Sequence, residues 1–197
     1  MAARLIGLTG GIGSGKTTIA NFFKEQGIPL YIADDEAKTI LYTPDAVKEV
    51  REAFGKNVFT NEMPDRSKLA SVVFSDPEKL KTLNAIIHPK VKEHFQKWME
   101  QHNNEKFVIR EAAILFESGS YIDCDKIILV TAPLDLRIRR VMERDKTTRE
   151  KVLERINAQW DDKKKEELSD FIITNIELEN AKAHALEILK ILNKMEK

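Results

Sequence analysis

The sequence predicts an α/β protein built on a parallel sheet, and three observations carry that prediction. Short, almost continuously apolar runs alternate with longer segments of helical periodicity, the pattern of successive βαβ units. The runs are β-branched, as in Phe107-Val108-Ile109, Ile127-Ile128-Leu129-Val130 and Phe171-Ile172-Ile173, which suits strands covered on both faces. The first run also opens directly into GLTGGIGSGKTT, residues 7–18, within which Gly10 to Thr17 is a full GxxxxGK[ST] match.

Strand 4–9 carries Leu5, Ile6 and Leu8, and Thr18-Ile19-Ala20-Asn21-Phe22-Phe23 reads as the opening of a helix. In that context the glycines let the backbone curl with its N–H groups inward, and the helix N-terminus favours a bound anion. Gly10, Gly11, Ile12, Gly13, Ser14, Gly15, Lys16, Thr17 and Thr18 are therefore the expected binding residues for a nucleoside triphosphate, which the resemblance described below implies is ATP. Lys16 would reach the β- and γ-phosphates, and the Thr17 hydroxyl is the expected Mg²⁺ ligand. The rival GxGxxG dinucleotide fingerprint does not fit, because the glycines run Gly11-x-Gly13-x-Gly15. The acidic pair Asp34-Asp35 does lie about 20 residues on, where a ribose-binding acid would stand, but Lys16-Thr17 decides for a phosphate cradle.

The second strand, 30–33, precedes Asp34-Asp35. The crossover to the third strand, 107–111, is too long for a structureless loop. Helices are expected at 35–41, 45–54, 66–74, 76–87 and 89–103, with Ser67 and Ser75 as N-caps and Pro89 closing the helix that ends at His88. Strands 126–131 and 170–174 complete the set. Between them, segment 133–145 has one helical stripe of Ile138, Val141 and Met142 and another of Arg137, Arg140 and Arg144. Residues 161–167 read as a solvated, mixed-charge helix face. Residues 181–192 read as an amphipathic packing helix through Ala181, Ala185, Ile188, Leu189 and Leu192.

The chain has 197 residues, enough for one domain with inserts and a sizeable core. Lys plus Arg and Asp plus Glu are both 32, so no global charge drives binding to nucleic acid or an anionic membrane. The single Cys124 allows no internal disulfide. The opening apolar run is too short for a signal peptide and no run is long enough to span a bilayer. A soluble cytoplasmic protein is expected, a monomer or weak homo-oligomer without nucleic-acid or membrane partners. No guanine-reading Asn-Lys-x-Asp segment, LSGGQ-type segment, zinc-type His/Cys cluster or local Ser-His-Asp pattern is present.

Ligands of open α/β sheets bind at the carboxyl ends of the strands. That rule gathers the phosphate loop, Asp34, Glu111 and Asn175. Phosphoryl transfer needs a cradle, a metal, cations on the moving group and often a carboxylate near the acceptor hydroxyl. Asp34 is the candidate for that carboxylate, with helix capping as its alternative. Arg137, Arg140 and Arg144 bridge donor phosphates from a lid or form a solvated face paired with Glu143 and Asp145. Glu111 either meets Mg²⁺ through water or pairs with a neighbouring cation.

On these residues the chain resembles the dephospho-coenzyme A kinase family. GLTGGIGSGKTT is similar to that family's opening, and Gly27-Ile28-Pro29-Leu30-Tyr31-Ile32-Ala33-Asp34 to its segment ending in the catalytic aspartate. The likeness continues through Phe54-Gly55, Asp65-Arg66, Leu69-Ala70, Val73-Phe74, Leu83-Asn84 and Ile87-His88-Pro89. It then takes in Ile114-Leu115-Phe116-Glu117, Arg140, Arg144-Asp145, Gln159 and the run from Asp170 to Asn175. The resemblance implies ATP and Mg²⁺ as cosubstrates and phosphorylation of the ribose 3′-hydroxyl of dephospho-CoA, the final step of coenzyme A synthesis. It implies Asp34, Lys16 and Arg140 as catalytic residues, Arg140, Arg144 and Asn175 at ATP, and Asp34, Arg66, His88, Leu115 and Glu117 at the acceptor. It also implies a three-layer P-loop kinase fold, a single domain over 1–197 with five parallel strands ordered 2-3-1-4-5. Within it lie a helical acceptor insert at about 36–105 and a helical lid at about 137–165. Ile32 departs from the family's usual first aspartate, Ala113 from its proline, Glu111 from its frequent earlier Asp, and Arg137 from its glutamine.

Overall fold

The computed structural model describes residues 3–195, the side chain of Phe74 excepted. In chain order it runs β1 (Arg4–Gly10), α1 (Lys16–Glu25), β2 (Leu30–Ile32), α2 (Ala33–Ile40), α3 (Pro44–Phe54), β3 (Phe59–Thr60), β4 (Met63–Pro64), α4 (Arg66–Phe74) and α5 (Pro77–Gln101). It continues with β5 (Phe107–Glu111), β6 (Lys126–Thr131), α6 (Leu134–Asp145), α7 (Arg149–Asn157), α8 (Asp162–Glu167), β7 (Phe171–Thr174) and α9 (Leu178–Lys194). The chain divides into two compact units, one made of Ala33–Gln101 and the other of the remainder.

In the larger unit, five strands form an all-parallel sheet in the order β2-β5-β1-β6-β7. Setting aside the hairpin strands β3 and β4, which lie outside this sheet and which periodicity did not foretell, this is the 2-3-1-4-5 order expected. Alternate strand residues explain the layering. Ile6, Leu8, Phe107, Ile109, Ile128, Val130 and Ile173 pack with Ile19, Ala20 and Phe23 of α1 and with Ala181, Ala185, Ile188, Leu189 and Leu192 of α9. Those α9 positions are the stripe predicted for the last helix. Gly7 faces the other way, where Leu115 Cδ2 and Cys124 Sγ come within 2.7 and 2.9 Å of the place a Cβ would occupy. Only glycine leaves room there. Burial pushes the Cys124 thiol up to about 11, so it packs as a neutral group at pH 7.

The register aligns the strand ends that carry the chemistry. Leu8 stands opposite Glu111, Gly10 opposite Val130, and Thr131 opposite Thr174. Thr9 Oγ1 donates to Ala112 O at 2.9 Å, and the Asn175 N–H donates to Thr131 O at 2.7 Å, closing the sheet just beyond those ends.

The Ala33–Gln101 unit has its own core of Leu41, Ala46, Val50, Val58, Phe59, Leu69, Val73 and Ile87. Three expectations need correction here. The two helices expected on either side of Pro89 are one, α5, with Pro89 in its interior. Proline removes one N–H and crowds the preceding turn, but buried Ile87 ties that part of α5 to the unit's core, and the helix runs on. Ser67 and Ser75 do not cap. Asp65 Oδ1 accepts from the N–H groups of Ser67 and Lys68 at 3.0 and 3.1 Å, and Asp76 Oδ1 from Glu78 and Lys79 at 3.0 and 3.3 Å. A carboxylate is the stronger acceptor for donors at the positive end of a helix. The remaining surprise is the β3–β4 hairpin, turned through Asn61 and Glu62 at φ 49 and 64°.

Candidate active site

β1 ends at Gly10 and α1 begins at Lys16, so residues 11–15 form the turn between them. Gly15 is the N-cap of α1 at φ 86°, a left-handed conformation that glycine adopts without strain. Among the described residues no side chain caps this helix, and its first turn holds no acid. The helix end therefore keeps its electropositive character for an anion. The turn is held by the Ser14 N–H to Gly11 O bond at 3.0 Å, and by Thr18 and Ile19 N–H to Gly15 O at 3.0 and 3.2 Å. Thr17 and Thr18 are exposed on it.

Lys16 pairs with Glu111 at the end of β5; their side chains are only 11 and 5 % exposed. Of the two readings left open for Glu111, the structure shows the cation pair. Taking two charges so far from water is costly unless they meet each other, as they do here.

Asn175 follows β7 and is buried. Its Nδ2 donates to Ser14 O at 2.8 Å, and its C=O accepts from Arg140 Nη1 at 3.0 Å. Its Oδ1, and Ser14 Oγ, are buried polar atoms with no hydrogen-bond partner among the described residues. Arg140 Nη2 also donates to Ile176 O at 3.2 Å. Phosphate loop, Asn175 and Arg140 thus form one connected constellation.

The other arginines of the stripe separate. Arg144 bonds Asp145 at 2.6 and 3.1 Å, and Arg155 joins the same carboxylate at 2.8 Å. These two guanidiniums hold Asp145 far below the usual carboxylate range, and Asp145 raises Arg144 in turn. Arg137, expected on the lid's phosphate face, is 1 % exposed; its Nε donates to Ile12 O at 2.9 Å and it pairs with Asp162. Its helical neighbours gave no sign of this, because the partners come from the phosphate loop and from α8.

Two residues expected at the acceptor are engaged within the protein. Leu115 is wholly buried under Gly7 and offers no surface to a ligand. Glu117 Oε1 accepts from the Trp160 N–H at 2.8 Å and lies 3.0 Å from the ammonium of Lys165. Burial pushes the Glu117 carboxyl up, but the Trp160 N–H and Lys165 outweigh it, and the group titrates below its ordinary value. Residues 161–167 are mostly exposed, as the mixed-charge run implied, but Lys165 is the exception and is fully buried. A lysine in a KKKEE run carries no sequence signal for burial.

In the Ala33–Gln101 unit, Arg66 and His88 line one cavity of about 220 Å³ with Lys38, Leu41, Leu83 and Ile87. Asp34 is exposed in the first turn of α2 with Asp35 and Glu36. It stands inside the helix that starts at Ala33, one residue past the N-terminal position, so it is not the cap of a helix starting near Glu36. Among the described residues no group of three or more His, Cys, Asp or Glu side chains could hold a metal ion.

The profile of the dephospho-CoA kinase family matches residues 4–180. The chain belongs to the dephospho-CoA kinase family. Its relatives include a dephospho-CoA kinase of Geobacillus kaustophilus, 38 % identical over 197 residues that cover 98 % of each chain. Among solved structures, TT1252 of Thermus thermophilus superposes with a TM-score of 0.89 at 32 % identity over 100 % of both chains. The dephospho-CoA kinase of Campylobacter jejuni does so with a TM-score of 0.74 at 27 % identity, over 96 % of this chain and 97 % of that one. The family is one of kinases with the P-loop fold described above. Among the described residues no helix is long and apolar enough to cross a membrane.

Proposed function

We propose that the protein transfers the γ-phosphoryl group of ATP to the ribose 3′-hydroxyl of dephospho-CoA, yielding coenzyme A and ADP. The observation that carries this reading is the joined constellation of phosphate loop, Asn175 and Arg140 in a member of this family. The uncapped N-terminus of α1 and the loop from Gly10 to Thr18 receive the donor phosphates. Lys16 stands at the start of α1 as the cation for the β- and γ-phosphates, and Arg140, on α6, supplies a second from the lid, residues 137–165. The exposed Thr17 hydroxyl suits a hard cation such as Mg²⁺, which when bound offsets phosphate charge.

Asp34 orients the acceptor hydroxyl and takes its proton as that oxygen bonds to phosphorus and the bond to the β-phosphate oxygen breaks. Arg66 and His88, with the apolar wall of their cavity, bind the acceptor, which makes Ala33–Gln101 the acceptor-binding part of the chain. A small-molecule kinase with one thiol and no internal disulfide suits a reducing cytoplasm.

The test is incubation with ATP and Mg²⁺ across a panel of hydroxyl acceptors, with product mass as readout. One added phosphoryl group on dephospho-CoA, ahead of other nucleotides and of sugars, is the expected result. Turnover of another acceptor with dephospho-CoA untouched overturns the reading.

A further inference from the structure

Ile12 is the crest of the phosphate loop, and one arm of the chain, from α6 to the start of α8, engages all three of its faces. Its side chain packs on Ile138, Val141 and Val152, the small apolar cluster that α6 and α7 share. Its N–H donates to Gln159 Oε1 at 3.0 Å, and its C=O accepts from Arg137 Nε at 2.9 Å. Each holder is held in turn. Gln159 Nε2 donates to Ala113 O at 3.2 Å, just past β5. Arg137 pairs with Asp162 at the head of α8, and its guanidinium fills the space where a Cβ at Gly11 would stand.

A guanidinium 1 % exposed is costly to bury unless its donors are met. Here they are spent on one loop carbonyl and one carboxylate, which fixes the plane of the Ile12–Gly13 peptide rather than merely filling a core. That plane sets the direction of the loop leading to Gly13 and Lys16. The same arm carries Arg140.

We propose that Arg137 and Gln159 are positioning residues for the phosphoryl donor. They clamp the two peptide groups that flank Ile12, so that the aperture of the phosphate cradle follows the seating of the arm. This rests on the proposed use of the cradle for ATP. The clamp acts on nucleotide affinity and leaves acceptor binding aside.

The full-length chain is tested as Gln159→Met, Arg137→Met and Arg137→Lys. Amide hydrogen exchange at Ile12 is read without nucleotide, the ATP dissociation constant by calorimetry, and KM for each substrate by turnover. Loss of one neutral hydrogen bond corresponds to about two- to twelvefold. Gln159→Met is therefore expected to speed Ile12 exchange and weaken ATP binding by about three- to tenfold, again on the scale of one hydrogen bond, with acceptor KM unchanged within about twofold. Arg137→Lys, whose ammonium still reaches toward Ile12 O and Asp162, recovers part of what Arg137→Met loses. Unaltered Ile12 exchange and ATP affinity in Gln159→Met and Arg137→Met overturn the clamp. So does an equal rise in both KM values that tracks loss of melting temperature, or an Arg137→Lys no better than Arg137→Met. If Arg137→Met does not fold, Gln159→Met still decides. If the wild-type chain binds no ATP, the functional reading falls, and Ile12 exchange alone decides the clamp.

Discussion

Lys165 has no exposed surface, and its ammonium lies 3.0 Å from Glu117 Oε1. Replacing it by Met keeps the aliphatic stem and deletes the charge, leaving the Glu117 carboxylate with the Trp160 N–H at 2.8 Å. Removing one partner of a buried pair costs about 3–5 kcal/mol. Glu117 keeps a side chain 15 % exposed, through which water relieves part of the loss, so the lower end, about 3 kcal/mol, is expected. In a chain of this size that is a fall of about 6–12 °C in melting temperature. The sign with pH follows from linkage. In the wild type Glu117 titrates below its ordinary value of 4.5, so it stabilises the fold above that pH and the contribution is lost on acidification. Deleting Lys165 raises the folded-state value. The gap between variant and wild type is therefore widest at neutral pH and narrows as pH drops through and below 4.5. Trp160, stacked on Phe116 at 6.1 Å, reports the transition by fluorescence in a Trp98→Phe background, in urea or on heating. The double variant Lys165→Met/Glu117→Gln keeps an acceptor for Trp160 without the charge and is expected to recover at least half of the loss. A single-variant cost below about 1 kcal/mol, far under the range for a broken buried pair, refutes the reasoning. A gap that does not narrow in acid, or a double variant as unstable as the single, refutes it too.

Four further outcomes are expected. Asp34→Asn lowers turnover at least about 100-fold, the lower bound for a general base, while ATP affinity by calorimetry stays within about twofold; near-normal turnover removes Asp34 from the role of base. Lys16→Met loses both turnover and thermal stability, because Glu111, 4 % exposed, is left without its cation. Lys16→Met/Glu111→Gln then recovers melting temperature but not turnover, and recovery of both would show that Lys16 serves only Glu111. Gly11→Ala weakens ATP binding and lowers the melting temperature, since its Cβ meets the Arg137 guanidinium. Gly27→Ala, with no heavy atom within 4 Å of its Cβ but φ at +80°, is expected to cost only backbone strain of about 1 kcal/mol and to leave ATP affinity alone.

The parallel sheet was legible because its inner strands are buried on both faces and so write unbroken apolar runs, as Ile127 to Val130 does. The last helix was legible because its whole apolar stripe packs on the sheet. The phosphate loop was legible because its conformation demands particular residues at fixed spacing. What escaped has a common cause. Pro89 ends a helix by local rules, but α5 is held by the core of its unit. Arg137 and Lys165 look like surface on their own helices, and only partners 125 and 48 residues away bury them. Periodicity assigns a side chain to a face; it does not say what lies opposite. Ile138 and Val141 were readable as a packing stripe, yet nothing in their spacing revealed that Ile12 of the phosphate loop shares their cluster.

That shared cluster bears on why the loop is so rich in glycine. The phosphate-binding pattern asks for glycine so that backbone N–H groups can approach an anion. Here the protein itself presses on the same positions. A Cβ at Gly11 would meet the Arg137 guanidinium, one at Gly13 the Arg137 backbone carbonyl, and one at Gly15 the Asn175 amide nitrogen. Gly13 and Gly15 also hold φ at +79 and +86°. Two independent demands, backbone conformation and close protein neighbours, thus fall on the same residues. An alanine at Gly11 or Gly15 would displace Arg137 or Asn175 before it reached a phosphate. Loss of nucleotide affinity in such a variant therefore measures the seating of the α6–α8 arm and of Asn175 as well as the contact with the donor. Comparing Gly11→Ala with Arg137→Met separates the two: if the glycine acts through the arm, the second change adds little to the first in the double variant.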